Sequence, residues 1–478
     1  MRDLFGCITN KTRGLGSNTR QAVRGLMAKT ITTRLDRTVL FQSVLRISVA
    51  AIAAAIFFVH GAYAQNAVPL EDRLLLGVGT HQGMGGAVSK RGYVPAINIK
   101  QIGELGVTAF RDDFSWSDFE LPGHKLGFAT PLSRLEAQLT AGVARPFLIL
   151  GSGHYLVPNS TPPTTDPARQ RFVEYAIAAA HSVANRHPLF ELWNEWNIAA
   201  RQKPEFNADN YLALAQVTYP AVKQALPGAP FIVGAIGDDP DWKWTKSLLQ
   251  LGLLKYSDGI SIHLYNHCAT PARRTAAEII ERLTVFHNLV AQASGKQDFP
   301  IYVTETGWPT AIAKCGVSEQ VQADNMSQLI LWASTAPAWL KGISLYELKD
   351  SGTNTAELED NFGLYHFDNA PKPAVCAVGD SWAFIRSSVS AKEVKLADDV
   401  VLIKSSAASG GKAAIWSGNS SKHYQVRLKG DAPQVTFDYP CHHSPKSAAG
   451  TWMAVSSTPL LLSADGSVIP DLEIRQAP

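Results

Sequence analysis

The sequence predicts an α/β chain: a (β/α)8 TIM barrel followed by a C-terminal antiparallel β-sandwich. Three observations carry this expectation. Eight short apolar runs alternate with helix-like segments between about residues 70 and 388. From residue 389 the helical pattern stops, and short β-rich runs separated by Gly, Ser, Asp and Pro take over. The chain has 478 residues, 46 % of them hydrophobic, which suits one large barrel core plus a smaller second one.

Taken in order, the first element is a targeting segment over residues 1–64. Arg46 precedes an apolar run from Ile47 to Val59, and Ala62-Tyr63-Ala64 then offers a small-residue cleavage site before Gln65. Basic flank, short apolar stretch and A-x-A site are the three parts of a secretory signal. Met27 provides an alternative start with a shorter basic flank. The rival reading is an uncleaved inner-membrane anchor through residues 47–64, for which the run is short against a span of about 20 residues. Either way an exported chain is expected, periplasmic or secreted.

The barrel is expected over 65–388. Its strands are read at 74–81, 107–112, 146–151, 190–194, 231–237, 259–265, 301–305 and 342–347. Each is short and apolar and ends in polar or Gly-rich residues, as parallel strands buried on both faces do. The clearest helix starts at Asp166-Pro167, read as an N-cap followed by Pro at the first helical position, and runs to Arg186; another spans 318–335. A doubly wound open sheet is the competing architecture. It calls for a G-x-G-x-x-G loop after the first strand, and His81-Gln82-Gly83-Met84-Gly85-Gly86 lacks that spacing. The sandwich is expected over 389–478, with strands at 400–405, 412–416, 424–429, 434–439 and 451–456.

The net charge of +3 is unevenly placed. Residues 1–64 hold nine Lys/Arg against two Asp/Glu, and the remaining chain holds 35 against 39. The body is mildly acidic, which argues against a nucleic-acid partner. Cys7 precedes the cleavage site, leaving Cys268, Cys315, Cys376 and Cys441. Four cysteines in an exported chain allow three pairings, or four buried thiols. Cys268 follows strand six and Cys315 follows strand seven, on neighbouring points of one rim, so a Cys268–Cys315 disulfide is expected. Cys441-His442-His443 lacks a second ligand pair at metal spacing and reads as a loop; no metal or cofactor is expected.

Two carboxylates stand out by position. Glu195 ends the fourth strand, in Phe190-Glu191-Leu192-Trp193-Asn194-Glu195, and Glu305 ends the seventh, in Ile301-Tyr302-Val303-Thr304-Glu305. A charge finishing an apolar strand is costly unless paired or used. Carboxyl-terminal strand ends build the active site of a barrel, and strands four and seven face each other across its mouth. Cleavage of a glycosidic bond uses such a pair, one carboxyl as acid and one carboxylate as nucleophile. Arg111, ending strand two, is placed to keep one of them ionised. Each Glu taken alone also fits a structural ion pair. Trp116, Trp196, Trp242, Trp244 and Trp308 fall on or after strand ends, where flat side chains can stack on sugars; core packing is the commoner reason for any single one.

At these residues the chain resembles clan A glycoside hydrolases, and within the clan it is most similar to family 39 and its exopolysaccharide-degrading relatives, which carry a terminal β-sandwich. The resemblance covers roughly residues 74–386. It rests on Trp193-Asn194-Glu195, Glu305-Thr306-Gly307-Trp308, Arg111, His263-Leu264-Tyr265 and Asn361-Phe362-Gly363-Leu364-Tyr365. It implies Glu195 as acid/base and Glu305 as nucleophile of a retaining mechanism. Asn194 would bind the sugar 2-hydroxyl, Tyr265 would hydrogen-bond Glu305, and His263, Arg111 and Trp308 would line or support the site; Trp116 joins the substrate-binding candidates by its place after strand two. Many clan members end strand eight in Trp; here Leu345-Tyr346-Glu347 stands in its place, and Tyr346 is the candidate platform. The implied substrate is a polysaccharide or oligosaccharide, cut internally as in a bacterial exopolysaccharide. The alternatives are an exo-acting β-xylosidase-like enzyme and a catalytically silent sugar-binding barrel.

Overall fold

A computed structural model describes residues 68–477 except 85–89, 122, 124, 152–161, 202, 419–421, 431–433 and 467. The expected signal or anchor at 1–64 lies outside the described residues. Among the described residues no helix is long and apolar enough to cross a membrane.

Eight strands close a parallel barrel: β1 (Leu75–Gly79), β2 (Ala109–Asp113), β3 (Arg145–Leu150), β4 (Leu189–Leu192), β5 (Phe231–Ile236), β6 (Gly259–His263), β7 (Ile301–Thr306) and β8 (Leu340–Leu345). Neighbours in sequence are neighbours in the barrel, and β8 pairs with β1. Closure excludes the open doubly wound sheet. The strands are buried almost throughout, so their apolar runs are continuous rather than alternating.

One longer helix follows each strand: α1 (Pro95–Leu105), α2 (Ala129–Ala141), α3 (Asp166–Ser182), α4 (Ala208–Ala225), α5 (Lys243–Gln250), α6 (Ala276–Ser294), α7 (Glu319–Ala333) and α8 (Pro373–Ile385). The expected N-cap of α3 shifts by one residue. Thr165 is the cap, its Oγ1 accepting from the Ala168 amide at 3.4 Å, and Asp166 opens the first turn, where its charge still favours the helix amino end. Helix α3 also stops at Ser182, and the 3-10 turn Ala184–Arg186 takes up the rest of the expected segment. Ser318 caps α7 in the same way, accepting from the Val321 amide at 3.3 Å.

The remaining strands are β9 (Ser390–Ala397), β10 (Val400–Ala407), β11 (Gly410–Ser417), β12 (Tyr424–Leu428), β13 (Val435–Asp438), β14 (Lys446–Ser447), β15 (Met453–Val455), β16 (Leu460–Asp465) and β17 (Leu472–Gln476). They form a six-stranded sheet, β9-β10-β11-β16-β13-β14, facing a three-stranded one, β15-β12-β17, all antiparallel. The larger sheet is apolar on both faces. Leu402, Ala413, Ile415, Leu460 and Leu462 point into the sandwich core, while their neighbours Ile403, Ala414, Trp416 and Leu461 join the core of the barrel.

That second face meets α7. Every residue of α7 from Gln322 to Ala333 is buried, so this helix lacks the usual polar outer stripe. Two of its polar groups are met by the sandwich, while Gln322, Asn325 and Ser327 bond within the barrel. Asp324 accepts from Ser457 Oγ at 2.6 Å and Thr458 Oγ1 at 2.8 Å, and Gln328 Nε2 donates to the Ser457 carbonyl at 2.6 Å. A disulfide from Cys376 on α8 to Cys441 joins the same two layers, with Cα atoms 5.3 Å apart. Cys441 is thus committed to sulfur rather than to a metal.

Candidate active site

The carboxyl ends of the strands gather the ionisable side chains. Arg111 lies in β2, Glu305 in β7 and His263 at the end of β6; Asn194 and Glu195 follow β4, and Tyr346 and Glu347 follow β8. The cavity above them has a volume of about 660 Å³, and Asn194, Glu195, Tyr265, Glu305 and Tyr346 line it.

Arg111 is the hub. It is 4 % exposed, and its guanidinium is fully engaged. Nε donates to Glu191 Oε2 at 2.8 Å, Nη1 to Glu305 Oε1 at 2.7 Å, and Nη2 to Asn194 Oδ1 at 2.8 Å. Burial alone would lower its pKa, but Glu191 and then Glu305 reverse this and hold the charge more firmly than usual. The second oxygen of Glu305 accepts from Tyr265 Oη at 2.8 Å. Both oxygens of Glu305 therefore carry a donor, which fixes the carboxylate in place.

Glu195 reaches the cavity through an unusual backbone. Its φ of 47° and ψ of 45° are left-handed, a conformation costing a non-glycine residue about 1–2 kcal/mol. The conformation is tied down at both ends. The Glu195 amide donates to the Ala235 carbonyl at 3.0 Å, and the Glu195 carbonyl accepts from the Ile198 amide at 3.0 Å, opening the short helix Trp196–Ala200. Asn197 then clamps Gly237, accepting from its amide at 2.9 Å and donating to its carbonyl at 3.2 Å. A Cβ on Gly237 would lie 2.7 Å from Glu195 Oε1, so only glycine leaves room for this carboxyl.

His263 bridges the two glutamates. It is 2 % exposed; Nδ1 lies 2.9 Å from Glu195 Oε1 and 3.3 Å from Glu305 Oε2. Nε2 faces the Arg111 Nη2 donor at 3.4 Å, which leaves Nδ1 as the nitrogen that donates toward Glu195. Burial pushes the His263 pKa down, but Glu305 and Glu195 outweigh it and raise it overall. Burial pushes Glu195 up, but the His263 hydrogen bond and charge, with Arg111, bring it below the ordinary carboxyl value.

One oxygen of each glutamate and a His263 nitrogen all lie within 4.8 Å of one another. These are ligand types for a metal ion, yet the donors around Glu305 argue otherwise. Its oxygens already accept from Arg111 and Tyr265, and a cation would sit against a permanent guanidinium. The set is better suited to moving a proton than to holding an ion.

The structure gathers Asn194, Glu195, Arg111, His263, Tyr265, Glu305 and Tyr346 in one place. Tyr346 stands edge-on to Tyr265 and Phe362, with ring centroids 6.2 and 5.2 Å away, and forms an aromatic wall. Trp116 and Trp308 are corrected. Both rings are wholly buried, Trp116 Nε1 donating to Glu120 Oε2 at 2.7 Å and Trp308 Nε1 to Asn266 Oδ1 at 2.8 Å. An indole whose N–H finds an internal acceptor is more stable packed than presented to a ligand. Trp308 still bears on the cavity, because Asn266 is one of its walls. The expected bridge is present: Cys268 and Cys315 are joined with Cα atoms 4.6 Å apart, tying the loops after β6 and β7.

Sequence reasoning missed Glu191, His81 and Glu347. Glu191 sits within β4 at 0 % exposure, a charge inside an apolar strand and hence a signal of the same kind that marked Glu195. Glu347 is also at 0 % exposure, and burial pushes its pKa up to about 7. His81 lines the cavity; Nδ1 is 3.3 Å from Asp113 Oδ2 and Nε2 is 3.3 Å from Glu347 Oε2. Burial opposes its charge, but Asp113 and Glu347 prevail and raise its pKa to about 9.

No protein-family profile matches the sequence, and no curated protein does either. Solved structures do match. A family 39 glycoside hydrolase from the gut symbiont Bacteroides cellulosilyticus WH2 aligns with a TM-score of 0.68 at 20 % identity, covering 84 % of this chain and 81 % of that one. A family 39 enzyme from Xanthomonas axonopodis pv. citri gives 0.57 at 16 % identity, covering 83 % and 95 %. A monomeric β-xylosidase from Caulobacter crescentus CB15 gives 0.57 at 15 % identity, covering 83 % and 97 %. The closed barrel, the appended sandwich and these alignments together show that the chain has the fold of the family 39 glycoside hydrolases of clan A.

Proposed function

We propose that this protein is a retaining glycoside hydrolase that cleaves a polysaccharide internally, with Glu305 as nucleophile and Glu195 as acid/base. The observation that carries the reading is the pairing of two differently held carboxyls. Glu305 is 8 % exposed and fixed by Arg111 and Tyr265, whereas the Glu195 side chain is 31 % exposed and meets His263. Oxygens within 4.8 Å fit direct attack better than the separation of about 6.5–9.5 Å that leaves room for water.

In the first step a Glu305 oxygen bonds to the anomeric carbon as the glycosidic C–O bond breaks, and the Glu195 proton goes to the leaving oxygen. In the second, Glu195 takes a proton from water, whose oxygen displaces Glu305. His263 Nδ1, hydrogen-bonded to Glu195 Oε1, holds the acid/base in position. Asn194, oriented by Arg111, faces the cavity where a ring hydroxyl would lie. The similarity in fold to family 39 enzymes supports the reaction class.

The expected partner is a carbohydrate, with neither nucleic acid nor cofactor in the reaction. Export to the periplasm or beyond is part of the proposal. The two disulfides suit an oxidising compartment, and N-terminal sequencing that finds Gln65 first would separate cleavage from an anchor.

The test is Glu305→Gln. It should fold and bind glycan but lose turnover, because an amide cannot form the ester intermediate. Near-normal turnover, or a product NMR spectrum showing inverted anomeric configuration for the wild type, would overturn the mechanism.

A further inference from the structure

We propose that a second groove, adjoining the cavity on the Glu195 side, holds the more distant leaving-group units of an uncharged glycan, with Trp244 as its stacking wall. This deepens the glycosidase reading above and rests on it.

The groove has a volume of about 400 Å³, and Asn197, Ala200, Arg201 and Trp244 are among its walls. Asp238 and Pro240 are walls of both cavities, so the two adjoin at this loop. The direction follows from chemistry. The acid protonates the glycosidic oxygen, so the departing sugar lies on the acid's side of the broken bond. Here that side is built by the turn Trp196–Ala200, which begins at Glu195 and supplies Asn197 and Ala200 to the groove. A sugar unit joined to the protonated oxygen is led along this turn toward Trp244.

Trp244 differs from the other tryptophans that follow strand ends. Trp116, Trp196 and Trp308 are buried, and Trp242 is taken up by Phe286 and the Arg282 guanidinium, 6.0 and 5.7 Å away. Trp244 stays partly exposed in the groove wall, its backbone amide held by Asp239 Oδ1 at 3.2 Å. Two of the three carboxylates around it are paired with cations, Arg201 with Asp238 at 2.9 Å and Lys243 with Asp241 at 3.4 Å, while Asp239 caps the start of α5 through the Thr245 amide and hydroxyl, each at 2.8 Å. Two cations, three carboxylates and one flat ring offer hydrogen bonds and stacking but no surplus positive charge for an anionic sugar. That suits neutral pyranose units rather than uronate or sulfated ones.

The experiment compares wild type, Trp244→Ala and Trp244→Phe on 4-nitrophenyl glycosides and on neutral polymers such as xylan, glucomannan and β-glucan, with carboxylated polymers alongside. A nitrophenyl leaving group is one ring long and is held beside Glu195 in the first cavity, whereas a polymer runs on along the groove; Trp244→Ala should therefore leave kcat/KM for aryl glycosides within about twofold, while kcat/KM for the cleaved neutral polymer falls roughly tenfold, mainly through KM. Trp244→Phe should recover most of that loss. Equal loss on both substrate kinds, no loss on the polymer, or cleavage confined to carboxylated polymers would overturn the proposal. Turnover of aryl glycosides with no cleavage of any polymer would overturn it while leaving the glycosidase reading intact; no turnover of any glycoside would remove both.

Discussion

Arg111→Met tests whether the site is organised around one buried cation. Arg111 is 4 % exposed and stands between Glu191 at 0 % and Glu305 at 8 %. Removing it leaves two buried carboxylates without their counter-charge, and breaking a buried pair in this way costs about 3–5 kcal/mol. Over the residues described, the unfolding entropy is about 0.8 kcal/mol per kelvin, so the melting temperature should fall by about 4–6 °C at neutral pH. The deficit comes from uncompensated buried charge. Adding Glu191→Gln removes one orphaned charge and should restore part of the stability but none of the turnover, because Glu305 still lacks its partner. Calorimetry at neutral pH with an aryl-glycoside assay measures both. An Arg111→Met protein that melts within about 1 °C of wild type at neutral pH, or retains its turnover, would refute the argument.

Three further outcomes are expected. Glu195→Ala should lose most activity on glycosides with poor leaving groups and least in the first step on those with good ones; equal loss on both contradicts the acid role. Gly237→Ala places a methyl 2.7 Å from Glu195 Oε1 and 2.8 Å from Ile198 Cγ1, so circular dichroism should stay native while kcat drops roughly tenfold or more; an unchanged kcat contradicts the steric reading. His81 has its pKa raised to about 9, so the stability it contributes is full below about pH 6.5 and lost as pH rises toward 9. His81→Asn should flatten the decline in melting temperature across that window, and an unaltered slope in thermal melts would count against it.

The barrel was legible because parallel strands sheathed by helices are continuous apolar runs, and a charge that ends such a run is conspicuous. The sandwich was read in part, for a physical reason. Strand β9 carries Lys392, Glu393 and Lys395 on the edge of its sheet, and so reads as a polar loop. Strand β16 begins Leu460-Leu461-Leu462 because both of its faces are covered, which erases the alternation that marks a half-exposed strand. The glutamates and Arg111 were found from position along the chain. Trp116 and Trp308 were misread from the same information, since a place after a strand end does not say to which side of the loop a ring turns. The contact of Glu191 with Arg111 lies 80 residues away in sequence and needed the closed barrel to appear.

Helix α7, buried along its length beneath the six-stranded sheet, bears on how this gene product can be rearranged. In many multidomain chains an accessory β-domain is interchangeable cargo, joined by a linker that recombination or a cloning junction can cut. Here the break between Ile385 and Ser390 looks like such a junction in the chain. Cutting there would strip Ile403, Ala414, Trp416 and Leu461 from the barrel core and sever the Cys376–Cys441 bond. It would also bare an oily, uncapped surface on each fragment, the kind of surface that drives association. The two layers are inherited together, and a chimaera that swaps the sandwich must bring its own α7 with it.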